Sequence, residues 1–289
     1  MLHGYTPPNR FLPYLSWTQI AELPDKANTV IVLPTGATEQ HGPHLPCAVD
    51  TVICSGVVGH ALARLPARIP AFAMAPITYG KSEEHLHFPG TMTLTGETLL
   101  ATMNEIGESV YRAGFRKLLI VNGHGGQPQD MEMSAREMRL RHGDFIVVPH
   151  STWRMPNVAG QYMSEQEKRL AMHAGHGETA IMLALAPDTV RMAQAVTNYP
   201  PEFPSKLLSP DGRPACAWTA RDFGPSGIIG DPLPATESQG HAILESLAIS
   251  WAAAITELHE LRWAARDEAT WSRTHHTGHV QDHAQNSLA

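Results

Sequence analysis

The sequence is poor in cysteine, in clustered basic charge and in long apolar runs, and each scarcity removes a class of protein. Three cysteines in 289 residues, Cys47, Cys54 and Cys216, form no C-x-x-C pair, so neither a disulfide framework nor a thiolate zinc knuckle is indicated. Lys and Arg number 21 against 28 Asp and Glu, giving a formal charge of -7, and the basic residues form no run. Nucleic acid and anionic membrane need a concentrated basic patch, so neither is expected as a partner. No segment offers the 18 or so uninterrupted apolar residues of a membrane span, and residues 1–5 lack the basic start and apolar core of a signal peptide. The expectation is a soluble, cytoplasmic protein acting on a small molecule or peptide.

What the sequence does have is a hydrophobic fraction of 43%, enough for a large core. Apolar runs of strand length recur at 30–33, 71–77, 117–121 and 145–148, and helical patterns occupy 51–64, 95–113, 127–141, 178–186 and 239–265. The alternation implies an α/β domain with parallel strands and crossover helices. Gly114 stands where the second helix should stop. One domain is expected over 1–272. The polar tail 273–289, with His275, His276, His279 and His283, reads as an untethered terminus rather than a further metal element. Residues 196–234 are rich in Pro and Gly and too long for an ordinary connection, which suggests a pocket-covering or interface segment.

Chemistry concentrates in three clusters. Glu39, His41, His44 and Asp50 crowd the segment after the first apolar run, where strand ends in an open α/β sheet border a crevice. His124 follows the run ending at Val121 and is flanked by Gly123 and Gly125, which leave room for close approach. The segment 173–179 adds His173, His176 and Glu178, the last at the first turn of a helix, where a carboxylate also has an ordinary electrostatic place. Singly, each histidine reads as a satisfied core group. Together, imidazoles and carboxylates without thiolate suit Zn²⁺, Mn²⁺, Fe²⁺ or Co²⁺, and their number exceeds the needs of one tetrahedral ion. Two ions roughly 3.5–4 Å apart can hold a hydroxide and polarise a carbonyl, the chemistry of amide hydrolysis.

The segments 33–46 with Asp50, 79–85 with 88–91, Asn122 to Gly126, and 173–175 with Glu178 and Thr179 resemble the creatininase (creatinine amidohydrolase) family, and Gly230-Asp231-Pro232 is a weaker fifth element. The resemblance spans about residues 15–247 and implies a three-layer α/β/α domain with a mostly parallel central sheet. It implies a dinuclear centre in which Glu39, Asp50 and His124 bind one ion and His41, Asp50 and Glu178 the other, Asp50 bridging. Creatininases proper carry a Glu two residues after the strand-end histidine; Gly126 stands there in this chain, and Glu178 is taken to supply the carboxylate instead. The ions implied are zinc first, with manganese or iron as alternatives. His173 matches the histidine that passes a proton to the leaving nitrogen. Ser82, Gly125, Trp153 and Arg169 fall at substrate-facing positions, while His44, His85, His87 and His176 are expected as supporting or pocket groups.

Two departures bear on substrate. Creatininases proper grip the creatinine ring with a tryptophan and an acidic residue four and three positions before the catalytic histidine, where this chain has Arg169 and Leu170; the tyrosine after the strand-end histidine is Gly125. The expected activity is therefore hydrolysis of a non-peptide C–N amide bond in some other small, open or cyclic substrate. The alternatives are creatinine hydrolysis proper, a formamidopyrimidine-type deformylase and a small-peptide peptidase. Outside hydrolysis stand a metal-dependent isomerase or aldolase, and a non-catalytic metal-binding homologue. Relatives imply a closed homo-oligomer, a hexamer first, with the apolar face of the last helix either in the subunit contact or buried within the chain.

Overall fold

The computed structural model describes residues 1–201, 204, 205, 207–210 and 214–263. Four parallel strands, β1 (Val30–Thr35), β2 (Ala71–Ala73), β3 (Lys117–Asn122) and β4 (Ile146–Ser151), form one sheet in the order β2-β1-β3-β4. Alternate residues of β1 and β3 point to opposite faces. Val30, Val32, Leu119 and Val121 enter one apolar cluster; Ile31, Leu33, Leu118 and Ile120 enter the other. Both strands are buried throughout, which explains why they read as continuous apolar runs rather than alternating ones.

The first cluster is covered by α2 (Val49–Arg64), α6 (His176–Leu185) and α7 (Glu237–Glu260), the second by α3 (Gly96–Arg112) and α4 (Pro128–Arg141). This is the expected three-layer arrangement. Two short helices, α1 (Trp17–Ala21) and α5 (Glu165–Leu170), carry too few residues for periodicity to reveal them. The helix α2 leads from β1 to β2, and α4 leads from β3 to β4 on the opposite face. The chain thus steps away from the β1–β3 pair in both directions. The carboxyl ends of β1 and β3 border the switch-point crevice in which open α/β sheets bind ligands.

Local signals account for the boundaries. Thr95 caps α3, its hydroxyl accepting from Thr98 N at 3.2 Å. Gly114, at φ +98°, closes the helix in a Schellman turn: its own N–H reaches Tyr111 O at 3.0 Å and the next N–H reaches Val110 O at 3.3 Å. The apolar face of α7, with Ile243, Leu247, Trp251 and Ile255 buried, packs inside the chain, which removes that face as a subunit contact. The expected 239–265 helix starts two residues earlier and stops at Glu260, residues 261–263 being non-helical; positions 264 and 265 and the histidines of the tail lie outside the described residues. Among the described residues no helix is long and apolar enough to cross a membrane.

Candidate metal centre

The connection after β1 carries Glu39 and His41, then enters α2, where Asp50 occupies the first turn and the helix N-terminus favours its negative charge. His124 follows β3 by two residues. Gly123 permits the close packing between these parts, since a Cβ there would lie 2.5 Å from Asp50 O. Strand ends and one helix N-terminus therefore bring together residues more than 80 positions apart in the chain.

Asp50 stands between two histidines. Its Oδ1 lies 3.4 Å from His41 Nε2 and its Oδ2 lies 3.4 Å from His124 Nδ1. Glu39 Oε2 is 3.2 Å from His124 Nδ1, and Glu39 Oε1 and Glu178 Oε1 each lie 3.9 Å from His41 Nε2. Donor atoms sharing a tetrahedral ion at about 2.0–2.2 Å would stand roughly 3.3–3.6 Å apart; the two Asp50 separations of 3.4 Å match that spacing, the 3.2 Å one falls just below it and the two of 3.9 Å are longer. Glu39 Oε2, His41 Nε2 and Asp50 Oδ2 are buried without a hydrogen-bond partner. Buried polar atoms left in that state are costly unless an ion occupies the space between them. The donor set fits divalent cations.

Hydrogen bonds behind the rings orient the lone pairs. His124 Nε2–H donates to Lys81 O at 2.8 Å, leaving Nδ1 free toward Asp50 and Glu39. His41 Nδ1–H faces Glu39 O at 3.2 Å, leaving Nε2 free. Burial opposes charge on both imidazoles, but the carboxylates outweigh it: Asp50, Glu178 and Glu39 raise His41 to about 9, and Glu39 with Asp50 raises His124 well above its ordinary value. The same pairing holds Asp50 low despite burial. Burial lifts Glu178 to about 7, with His41 opposing.

His173 sits between these groups and the segment that follows it. Its backbone pairs with Ile229, N to O at 3.1 Å and O to N at 2.8 Å, and its Nε2–H donates to Gln40 O at 2.6 Å. Its Nδ1 points inward, 3.7 Å from Glu39 Oε1. Burial first, then His41 and His85, hold it well below its usual range, so the ring is neutral. Next to it Ala174 adopts the left-handed region at φ +54°, rare for a non-glycine residue, and its N–H donates to Glu178 Oε2 at 2.6 Å. The strained backbone fixes that carboxylate relative to His41.

All five candidate ligands and His173 converge. Of the candidate substrate contacts, Trp153 and Gly125 line a cavity of about 1010 Å³ that also exposes Glu39, Asp50, His124, His173 and Glu178. Ser82 lies beneath this surface, fully buried, with Oγ 3.3 Å from His124 Nε2. Arg169 is exposed on α5, outside the cavity lining. Two residues not singled out from sequence belong to the site. Glu84 Oε1 approaches His124 Nε2 at 3.6 Å and could join Glu39 and His124 around an ion. Gln40 donates to His85 Nδ1 at 2.8 Å, setting a ring whose Nε2 lies 3.5 Å from Glu39 Oε1. The signal for Glu84 was its place beside Ser82 and His85; for Gln40, its place between two ligands. His44 and His176 are supports, paired with Thr179 Oγ1 at 2.9 Å and Gln239 Oε1 at 3.0 Å.

The creatininase family profile, described as creatinine amidohydrolase, matches residues 13–255. The chain belongs to the creatininase family. A creatinine amidohydrolase from Pseudomonas putida is 33% identical over 261 residues, 86% of this chain and 96% of that protein. A mycofactocin precursor peptide peptidase from Mycolicibacterium smegmatis is 32% identical over 220 residues, covering 75% and 81% of the two chains. A solved creatininase Mn structure matches at a TM-score of 0.71 with 30% identity, covering 86% of this chain and 98% of that one. Family membership makes the fold creatininase-like and the protein an amidohydrolase homologue. Relatives of comparable identity are named for creatinine and for a precursor peptide, so membership alone leaves substrate open.

Proposed function

We propose that this creatininase-family protein is a dinuclear metal-dependent amidohydrolase that cleaves a C–N amide bond of a small open-chain or cyclic substrate. The observation that carries the reading is the division of Asp50, one oxygen toward His41 and the other toward His124, with buried orphan atoms around it. Glu39, Asp50 and His124 would hold one divalent ion, and His41, Asp50 and Glu178 the other. Imidazole and carboxylate donors favour zinc, with manganese or iron as alternatives. When bound, such ions acidify water and polarise a carbonyl.

The chain's own residues supply the proton handling. With its Nε2–H committed to Gln40 O, His173 presents its Nδ1 inward, where it would take the proton of the attacking water and pass it to the departing nitrogen. Glu178 is steadied by the Ala174 N–H, and His85 stacks on His173 with ring centroids 4.2 Å apart. A short peptide is the second reading, favoured by a cavity of about 1010 Å³. The substrate set for testing therefore spans lactams, simple amides and dipeptides. Cytoplasmic location rests on the three free thiols, Cys47, Cys54 and Cys216. A homo-oligomer, hexamer first, rests on resemblance and is tested by light scattering.

The deciding experiment is elemental analysis with amine release from that panel, before and after chelation. About two ions per chain and chelator-sensitive release are expected. Glu178→Gln should lose one ion and most turnover while keeping the fold. Full occupancy in that variant would remove Glu178 from the ligand set, and absence of stoichiometric metal in the native protein would end the dinuclear reading.

A further inference from the structure

The candidate ligands and His173 form one polar part of the cavity lining, and Lys81, Glu83, Glu84, Glu132 and Arg154 add further charged groups. The lining also contains an apolar group, Trp153, Met163, Met172, Ala217 and Trp218, contributed by segments that hold no candidate ligand. Trp218 comes from the Pro- and Gly-rich stretch and stands on a clamped turn. Thr219 N and Oγ1 donate to Asp222 Oδ2 at 2.7 and 3.0 Å. Asn198 Nδ2 ties this turn to the strand-like segment before Gly230, donating to Phe223 O at 3.0 Å and Ile228 O at 2.6 Å. The Phe223 ring supports the indole edge-on at 5.3 Å. A half-buried tryptophan held this firmly presents a large, preorganised apolar surface to the cavity at little entropic cost on binding.

A series of rings connects that surface to the reaction centre. The Trp218 and His85 centroids are 6.5 Å apart at 82°, His85 and His173 4.2 Å at 30°, and His173 and His41 4.1 Å at 37°. The indole is therefore adjacent, through one ring, to the histidine that hands a proton to the leaving nitrogen. The half of the substrate nearest His173 at that moment is the amine half.

We propose that Trp218 is a specificity-determining residue that receives a planar or branched apolar group on the amine half of the amide. This rests on the amidohydrolase reading for the direction of the substrate. The cavity's volume accommodates such a group beyond the scissile bond, and exposed Arg169 provides no competing aromatic contact. Substrates with a bare or methylated amine leave the indole facing water and forgo that burial.

The test uses the full-length, metal-loaded protein and two probes, N-acetylglycine methylamide and N-acetylglycine benzylamide. Binding is followed by calorimetry and turnover by amine release. The benzylamide should bind roughly tenfold or more tightly than the methylamide. Trp218→Ala should bring the two within about twofold while leaving metal content and methylamide binding unchanged, and Trp218→Phe should keep most of the preference. Equal binding by the native protein, no benzylamide binding, or a preference that survives Trp218→Ala would overturn the proposal. Preference without turnover of either probe supports the subsite and counts against these amides as substrates; turnover without preference does the reverse.

Discussion

His173 is positioned from every side, by Ile229 through its backbone, by Gln40 through Nε2, and by the rings of His41 and His85. Its replacement removes the proposed proton carrier and none of the proposed ligands. His173→Ala should retain both ions by elemental analysis and lose roughly 10²–10⁴-fold in amine release; loss of an ion would reassign it as a ligand. Gly126 has a separate reason to be glycine, because a Cβ there would collide with Glu84 Oε1 and come within 2.6 Å of His124 Nε2. Glu84 can swing away, but the His124 ring is held by Lys81 O and cannot follow. Gly126→Ala should therefore weaken metal binding by roughly 10–100-fold, read by titration with a competing chelator, while native affinity would show that the ring adjusts freely. Glu39, His41 and His124 were legible because each follows a strand-length apolar run within a glycine- or proline-marked segment, and Asp50 because it closes the first of these clusters. Glu84 had only its place beside Ser82 and His85 as a signal, because its importance comes from side-chain space that Gly126 leaves open, a relation between positions 42 residues apart.

At the scale of elements, the segment leading into α6 is held by a buried carboxylate from α5. Glu167 Oε1 accepts from His176 N and Oε2 from Asp231 N, both at 2.8 Å. Glu167→Ala would leave one buried and one part-buried N–H unpaired, and a destabilisation of roughly 1–3 kcal/mol is expected in thermal or denaturant melts. An unchanged melt would mean that water substitutes for the carboxylate. Lys117 is a second buried charge that serves the architecture. Inside β3, its Nζ donates to His259 O at 2.6 Å and Leu261 O at 3.0 Å, satisfying carbonyls at the end of α7. Strand and helix existence followed from apolar periodicity, with β1, β3 and β4 running one to three residues beyond the expected ends and β2 shorter than expected. These extensions are decided by pairing: Thr35 lies in register with Asn122, and Asn122 with Ser151, so polar ends are carried into the sheet by their neighbours.

For the whole molecule, the centre joins the two sides of the switch point, and metal binding is therefore coupled to stability and pH. Without an ion His41 carries its proton up to about 9, above the ordinary 6.5, so its contribution is fully present below 6.5 and is lost as pH rises through 9. The chelated protein should melt at lower temperature at pH 9 than at pH 6.5 to the extent His41 dominates, and metal loading at pH 7.5 should release protons, measurable by calorimetry in buffers of different ionisation enthalpy. No proton release would contradict the protonated His41 and His124. Sequence by itself determined the α/β class, the order of strands and helices along the chain, and the chemical type of the centre, because burial periodicity and strand-end histidine and carboxylate clusters are local patterns. Only the tertiary structure decided the strand order β2-β1-β3-β4, the division of Asp50 between two imidazoles, the place of Glu84, and the approach of Trp218 to the ring series. Each of these depends on packing between segments distant in the chain, and the free energy of that packing is shared among residues that no short window contains.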